Sequence, residues 1–134
     1  MNSNHFSFKS LLAEPGVIQL LGVINPLVAK MAEKAGFKSV YISGAGVANA
    51  EYALPDLGLT GLSDVVQLVK RVRSSVNLPI IVDADTGWGG ILNVKRTIQE
   101  FESVGANGLH LEDQNLEKRC GHRDKKQLIS TTLM

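Results

Sequence analysis

Little in this sequence can cross-link, anchor or electrostatically steer the chain. It holds one cysteine in 134 residues, so no disulfide can close within it, and the setting expected is reducing and cytoplasmic. Long apolar runs are missing too. The longest, Val17 to Ile24, is interrupted by Gln19 and Gly22 and is far too short to span a bilayer. The opening residues Met1-Asn2-Ser3-Asn4-His5 lack the basic and apolar regions of a secretory signal. Nor is there an excess of one charge: the formal net charge is +1, scattered except at Glu117-Lys118-Arg119 and Arg123-Asp124-Lys125-Lys126. Neither a nucleic-acid nor a membrane partner is therefore expected. No G-x-G-x-x-G fingerprint follows the first expected strand, where Gly22-Val23-Ile24-Asn25-Pro26 stands instead, and this weakens a dinucleotide-binding reading.

What is present is the composition of a globular core, 44% hydrophobic and 20% charged, at a length of one domain or part of one. The stretch Ile80-Ile81-Val82-Asp83-Ala84-Asp85-Thr86-Gly87-Trp88-Gly89-Gly90 reads as a short buried strand that breaks into a Gly-rich loop carrying two acids. Side chains alternate along a strand, so Asp83 and Asp85 are expected to point the same way. Converging carboxylates repel, and either a raised pKa on one of them or a cation between them relieves this. Oxygen ligands suit Mg²⁺ or Mn²⁺. The plainer alternative is that the two acids cap the loop and bind water.

Elsewhere, His5 to Glu14 is expected as a short helix with Phe6, Leu11 and Leu12 on one side. Val17 to Ile24 is expected as a strand, and Asn25-Pro26 as the start of a helix that Gly36 ends. Ser39 to Ser43 is a second strand, followed by a long connection from Gly44 through Gly58. A helix begins at Ser63-Asp64, with Val65, Val66, Leu68, Val69 and Val72 on a broad apolar face. Pro79 to Asp83 is the third strand. Asn93 to Val104 is a helix with Val94, Ile98 and Phe101 on one side, and Gly108 to Glu112 the fourth strand. Asp113 to Leu128 shows no periodicity, and Ser130-Thr131-Thr132 reads as a helix N-cap. Strands alternating with helices predict parallel βαβ units, in a doubly wound sheet or a (β/α)₈ barrel. Polar residues fall at strand C-terminal ends, the functional face of a barrel.

Several residues there could carry chemistry. Cys120 is flanked by Lys118, Arg119 and His122, the setting of a reactive cysteine, although a solvated basic loop with an incidental thiol fits as well. Gly121 would let a ligand approach the backbone. Zinc is not expected, because one Cys with His110 and His122 falls short of a four-ligand set. Ser43-Gly44-Ala45-Gly46 offers a hydroxyl and successive N–H groups suited to a carboxylate or phosphate, or is simply a tight turn. Asp56 reads as a turn former. Glu112 orients a metal's water or pairs with a lysine, and His110 is read as structural.

Taken together, Ser43-Gly44-Ala45-Gly46, Leu54-Pro55-Asp56-Leu57-Gly58, Asp83-Ala84-Asp85-Thr86-Gly87-Trp88-Gly89, Glu112-Asp113-Gln114 and Lys118-Arg119-Cys120-Gly121-His122-Arg123 resemble the isocitrate lyase and phosphoenolpyruvate mutase superfamily. The last of these motifs resembles its lyases. Ala45 departs from the glycine usual there, and Trp88 from the common phenylalanine. The resemblance covers the chain from about Phe8 onward and implies an α/β fold, the first half of a (β/α)₈ TIM-type barrel, with residues 1–134 as a single domain. It implies Mg²⁺, with Mn²⁺ as a substitute, held by Asp83 and Asp85 with Asp56 and Glu112 near. The implied reaction cleaves a small tricarboxylate, 2-methylisocitrate, to pyruvate and succinate in propionate breakdown. Ser43, Gly44, Ala45, Gly46, Cys120 and Gly121 would bind substrate, and Cys120 would also act as general acid, tuned by Lys118 and His122. The superfamily forms homo-oligomers, usually tetramers. A full barrel takes about 250 residues. The alternatives are therefore an inactive fragment that pairs with a second half-barrel, or a relative acting on isocitrate or oxaloacetate.

Overall fold

Parallel strands need a crossover between neighbours, and a helix supplies it while covering the sheet. The computed structural model describes residues 8–134. In chain order these form α1 (Phe8–Leu12), β1 (Leu20–Gly22), α2 (Pro26–Lys34), β2 (Ser39–Ile42), α3 (Gly44–Tyr52), α4 (Leu62–Arg73), β3 (Ile80–Asp83), α5 (Ile91–Ser103) and β4 (Gly108–His110). Among the described residues the strands make one sheet in the order β1-β2-β3-β4, all parallel. Leu20 pairs with Ser39, Val40 with Ile80 and Ile81 with Gly108. A doubly wound sheet reverses its strand order, whereas this sheet runs in sequence, as the first half of a (β/α)₈ barrel does.

The core lies between sheet and helices. Val65, Leu68, Val69 and Val72 of α4 are fully buried with Val40, Ile42, Ile80 and Val82 of the sheet and Phe101 of α5, each burial worth roughly 1.5–3 kcal/mol. At the start of α2, Asn25 Oδ1 accepts the Val28 N–H at 2.9 Å and Pro26 takes the first helical position, as expected of that pair.

Four expectations are corrected. Gly44–Tyr52 is helical rather than part of a loop. Its alanines favour helix, and two glycines hid this; Ala53, at φ 53°, ends it. The first strand spans Leu20–Gly22 only, and Val17 is 94% exposed. On α5, Ile98 is exposed and Thr97 buried in its place, because the Thr97 hydroxyl donates to Gly87 O at 3.1 Å. The fourth strand ends at His110. The expected N-terminal helix is seen from Phe8, while His5 and Phe6 lie outside the described residues. Ser130 opens a single turn, accepting the Leu133 N–H at 2.9 Å.

Candidate active site

The C-terminal ends of β2, β3 and β4 bring three segments together. Asp83 closes β3. Its Oδ1 accepts the Asp85 N–H at 3.1 Å and its Oδ2 accepts the Gly44 N–H, also at 3.1 Å, from the first turn of α3. Asp85 has left the strand, at φ 46°, so it meets Asp83 through a turn and not through strand alternation. Beyond β4, the Glu112 N–H donates to Asp85 O at 2.7 Å, which sets the Glu112 side chain beside the other two. Asp83, Asp85 and Glu112 each offer an oxygen within 4.8 Å of the others. An all-oxygen set of this size fits Mg²⁺ or Mn²⁺. Gly44 belongs to the same packing: a methyl on it would lie 3.2 Å from Asp83 Oδ2 and 3.3 Å from Asp85 Oδ1.

Lys118 is the cation at this cluster. Its ammonium pairs with Asp85 and, at 3.2 Å, with Asp56 Oδ1; the side chains of Lys118, Asp85 and Asp56 are 4%, 5% and 16% exposed. Asp56 thus joins the site through Lys118. Burial holds the Asp85 carboxyl above its ordinary range, opposed by the bond and charge of Lys118 and reinforced by Asp83 and Asp56. Burial likewise raises Glu112, again against the pull of Lys118. For Lys118, burial would lower the ammonium, but its bond to Asp85 and the charges of Asp85, Asp56 and Glu112 outweigh this, and its pKa is raised. The lysine was expected to tune the thiol; its ammonium instead faces the acids.

The thiol sits in the same loop. Cys120 is half-buried, and its Sγ lies 3.8 Å from His122 Nδ1. Nothing lies within 4 Å of where a Gly121 side chain would begin, and Gly121 O accepts from Lys126 Nζ at 2.6 Å. A cleft of about 460 Å³ is lined by Lys118, Arg119, Arg123 and Lys125 together with Glu117, Leu57 and Gln127, a net positive lining that suits an anionic ligand. Ser43 precedes α3 as its N-cap without a side-chain cap bond. Ala45 O accepts from Asn49 Nδ2 at 2.7 Å, and Gly46 packs near Ile24.

Two neighbours escaped sequence reading. Gln114 is buried and donates to Glu112 Oε2 and Arg119 O, both at 2.8 Å, while its Oε1 accepts the Arg119 N–H at 3.1 Å. It ties the loop next to Cys120 to an acid of the cluster. Tyr41 hydrogen-bonds His110 Nδ1 at 3.3 Å. Burial, followed by the charges of Asp83, Glu112 and Asp85, pushes its phenol up to about 12. Its position two residues before Ser43 on β2 was the available signal, because alternate strand residues share a face.

A parallel half-barrel with its acids and its thiol loop gathered at the strand ends has the build of a β/α-barrel protein that works at that rim. The chain belongs to the phosphoenolpyruvate phosphomutase family, whose model matches residues 8–134. It is similar to the 2-methylisocitrate lyase of Shewanella oneidensis, 50% identical over 127 residues, which are 95% of this chain and 44% of that one. Among solved structures it resembles oxaloacetate acetylhydrolase in complex with the inhibitor 3,3-difluorooxalacetate, at a TM-score of 0.91 and 36% identity over 98% of this chain and 45% of that one. Phosphonopyruvate hydrolase in complex with oxalate and Mg²⁺ matches at 0.80 and 30%, over 99% and 44% of the two chains. The chain spans less than half the length of these relatives.

Proposed function

We propose that residues 1–134 form the N-terminal half of a divalent-metal-dependent lyase that cleaves 2-methylisocitrate to pyruvate and succinate. One observation carries this reading. Asp83, Asp85 and Glu112 converge beside a loop pairing Cys120 with His122, in a chain 50% identical to a 2-methylisocitrate lyase.

Asp83, Asp85 and Glu112 would hold the ion, Mg²⁺ or Mn²⁺, with Asp56 acting through Lys118. Bound there, the ion would supply Lewis-acid charge to a reaction in which a hydroxyl gives up its proton to solvent and becomes a carbonyl as a carbon–carbon bond breaks. Ser43, Gly44, Ala45 and Gly46 bind the end of the substrate that leaves as pyruvate, using the start of α3. Cleavage leaves an electron pair on the succinate half, and the Cys120 thiol donates the proton that completes it. His122 restores the thiol proton, and Gly121 keeps the loop backbone open to the substrate. The same reading makes the partner a small tricarboxylate, the setting cytoplasmic and the assembly a homotetramer. A second reading follows from the likeness to oxaloacetate acetylhydrolase: the same site serves isocitrate or oxaloacetate.

The test is pyruvate release from 2-methylisocitrate with Mg²⁺, by the chain alone and mixed with the C-terminal half of the Shewanella oneidensis relative. Turnover is expected in the mixture and not from the isolated chain. It should vanish in Cys120→Ser with the circular dichroism spectrum unchanged. Full activity of that variant removes the acid role. Turnover of isocitrate or oxaloacetate in place of 2-methylisocitrate transfers the site to the second reading, and a folded mixture inert on all three rejects the lyase.

A further inference from the structure

Lys118 stands between Glu117 and Arg119, in the most highly charged part of the chain, where lysines are ordinarily solvated. It is nevertheless 7% exposed. A buried ammonium is costly unless paired, and here the pairing is with Asp85 and Asp56, with the side-chain stem lying over Gly58. The oxygen it takes on Asp85 is Oδ1. Asp85 is also one of the three acids whose oxygens converge. The carboxylate that Lys118 holds therefore belongs to the set that would hold an ion.

We propose that Lys118 is a built-in counter-cation that competes with a divalent ion for Asp85, so that binding of the ion releases the lysine. This rests on the metal reading given above. A dication within a carboxylate's width of an ammonium repels it strongly at short range and low solvent exposure, and Mg²⁺ tolerates little distortion of its oxygen shell. The coupling is reciprocal: whatever the ion does to the lysine's hold on Asp85, the lysine does to the ion's affinity. Gln114 keeps its own bonds to the Arg119 backbone and to Glu112. The release is thereby confined to the Lys118 side chain, and a protonated amine two residues from Cys120 becomes available when the ion is in place. Lys118 thus serves the acids in one state and the thiol loop in the other.

Two measurements on the 134-residue chain test this. Calorimetric titration with Mn²⁺ should give about tenfold tighter binding for Lys118→Met than for the unchanged chain. Lys118→Arg, which keeps the charge, and Lys95→Met, which removes one from an exposed site on α5, should each stay within about twofold. In the unchanged chain, acetylation of Lys118 by acetic anhydride, read by mass spectrometry against exposed Lys34, should rise when Mn²⁺ is added. Equal or weaker binding by Lys118→Met, or acetylation that stays level or falls with Mn²⁺, overturns the competition and leaves the metal site standing. Absence of Mn²⁺ binding in every folded variant overturns the metal reading and this inference with it. Binding by Lys118→Met alone supports the competition in its strongest form.

Discussion

At Gly44 a single hydrogen atom separates an open cluster of acids from a crowded one. A Cβ there would sit 3.2 Å from Asp83 Oδ2 and 3.3 Å from Asp85 Oδ1, so the carboxylates themselves must give way. Gly44→Ala is expected to weaken Mn²⁺ binding about tenfold while costing the fold only about 1 kcal/mol. Titration calorimetry and thermal unfolding separate the two effects; unchanged affinity would show that the acids tolerate the shift. At this scale the acids themselves were legible, since Asp83, Asp85 and Glu112 stand where strands give way to loops. Lys118 was not. A lysine between two other charged residues reads as solvated, and chain order places neither Asp56 nor Asp85 beside it.

Among the elements, α2 announced itself best. Asn25 satisfies the Val28 N–H that the helix leaves open, and Asn25→Ala is expected to cost about 1 kcal/mol and lower the melting temperature by a few degrees. The thermal midpoint measures this directly; an unchanged value would mean that packing of Ala29 and Ala32 alone holds the helix. By contrast, α3 was hidden. Its nine residues carry two glycines and no amphipathic stripe, and periodicity is the signal by which helices are read. Its position matters nonetheless, because its first turn delivers the Gly44 N–H to Asp83. The strand ends were also misjudged by a few residues. A strand stops where its neighbour's pairing stops, and β4 ends at His110 opposite Asp83.

The whole molecule places Tyr41 and Lys118 against acids contributed by strands distant in sequence, and its pH response follows. Both groups hold their protons more tightly folded than unfolded. The contribution of Tyr41 to stability is fully present below about pH 10 and is lost as the pH rises through about 12, where it ionises in the folded chain, and that of Lys118 is lost only above this. Denaturation midpoints in urea should therefore fall between about pH 9 and pH 12, and fall less in Tyr41→Phe; an identical decline in the variant would separate Tyr41 from the effect.

Read alone, the sequence determined the parallel βαβ pattern, the three acids at strand ends, the Cys120 loop and the superfamily. Each of these is written in short spacings, a period of two or of three to four residues or a motif within one loop, and local chemistry suffices to read them. Only the tertiary structure decided that Asp85 reaches its partner through a left-handed turn, that Gln114 ties Arg119 to Glu112, and that Lys118 turns inward to Asp85 and Asp56. The Lys118 contacts join residues far apart along the chain, Asp85 lying 33 positions away, and the shorter ones depend on turns whose shape no side-chain pattern announces. Which charge neutralises which follows from the distances that folding sets, and no local spacing encodes them.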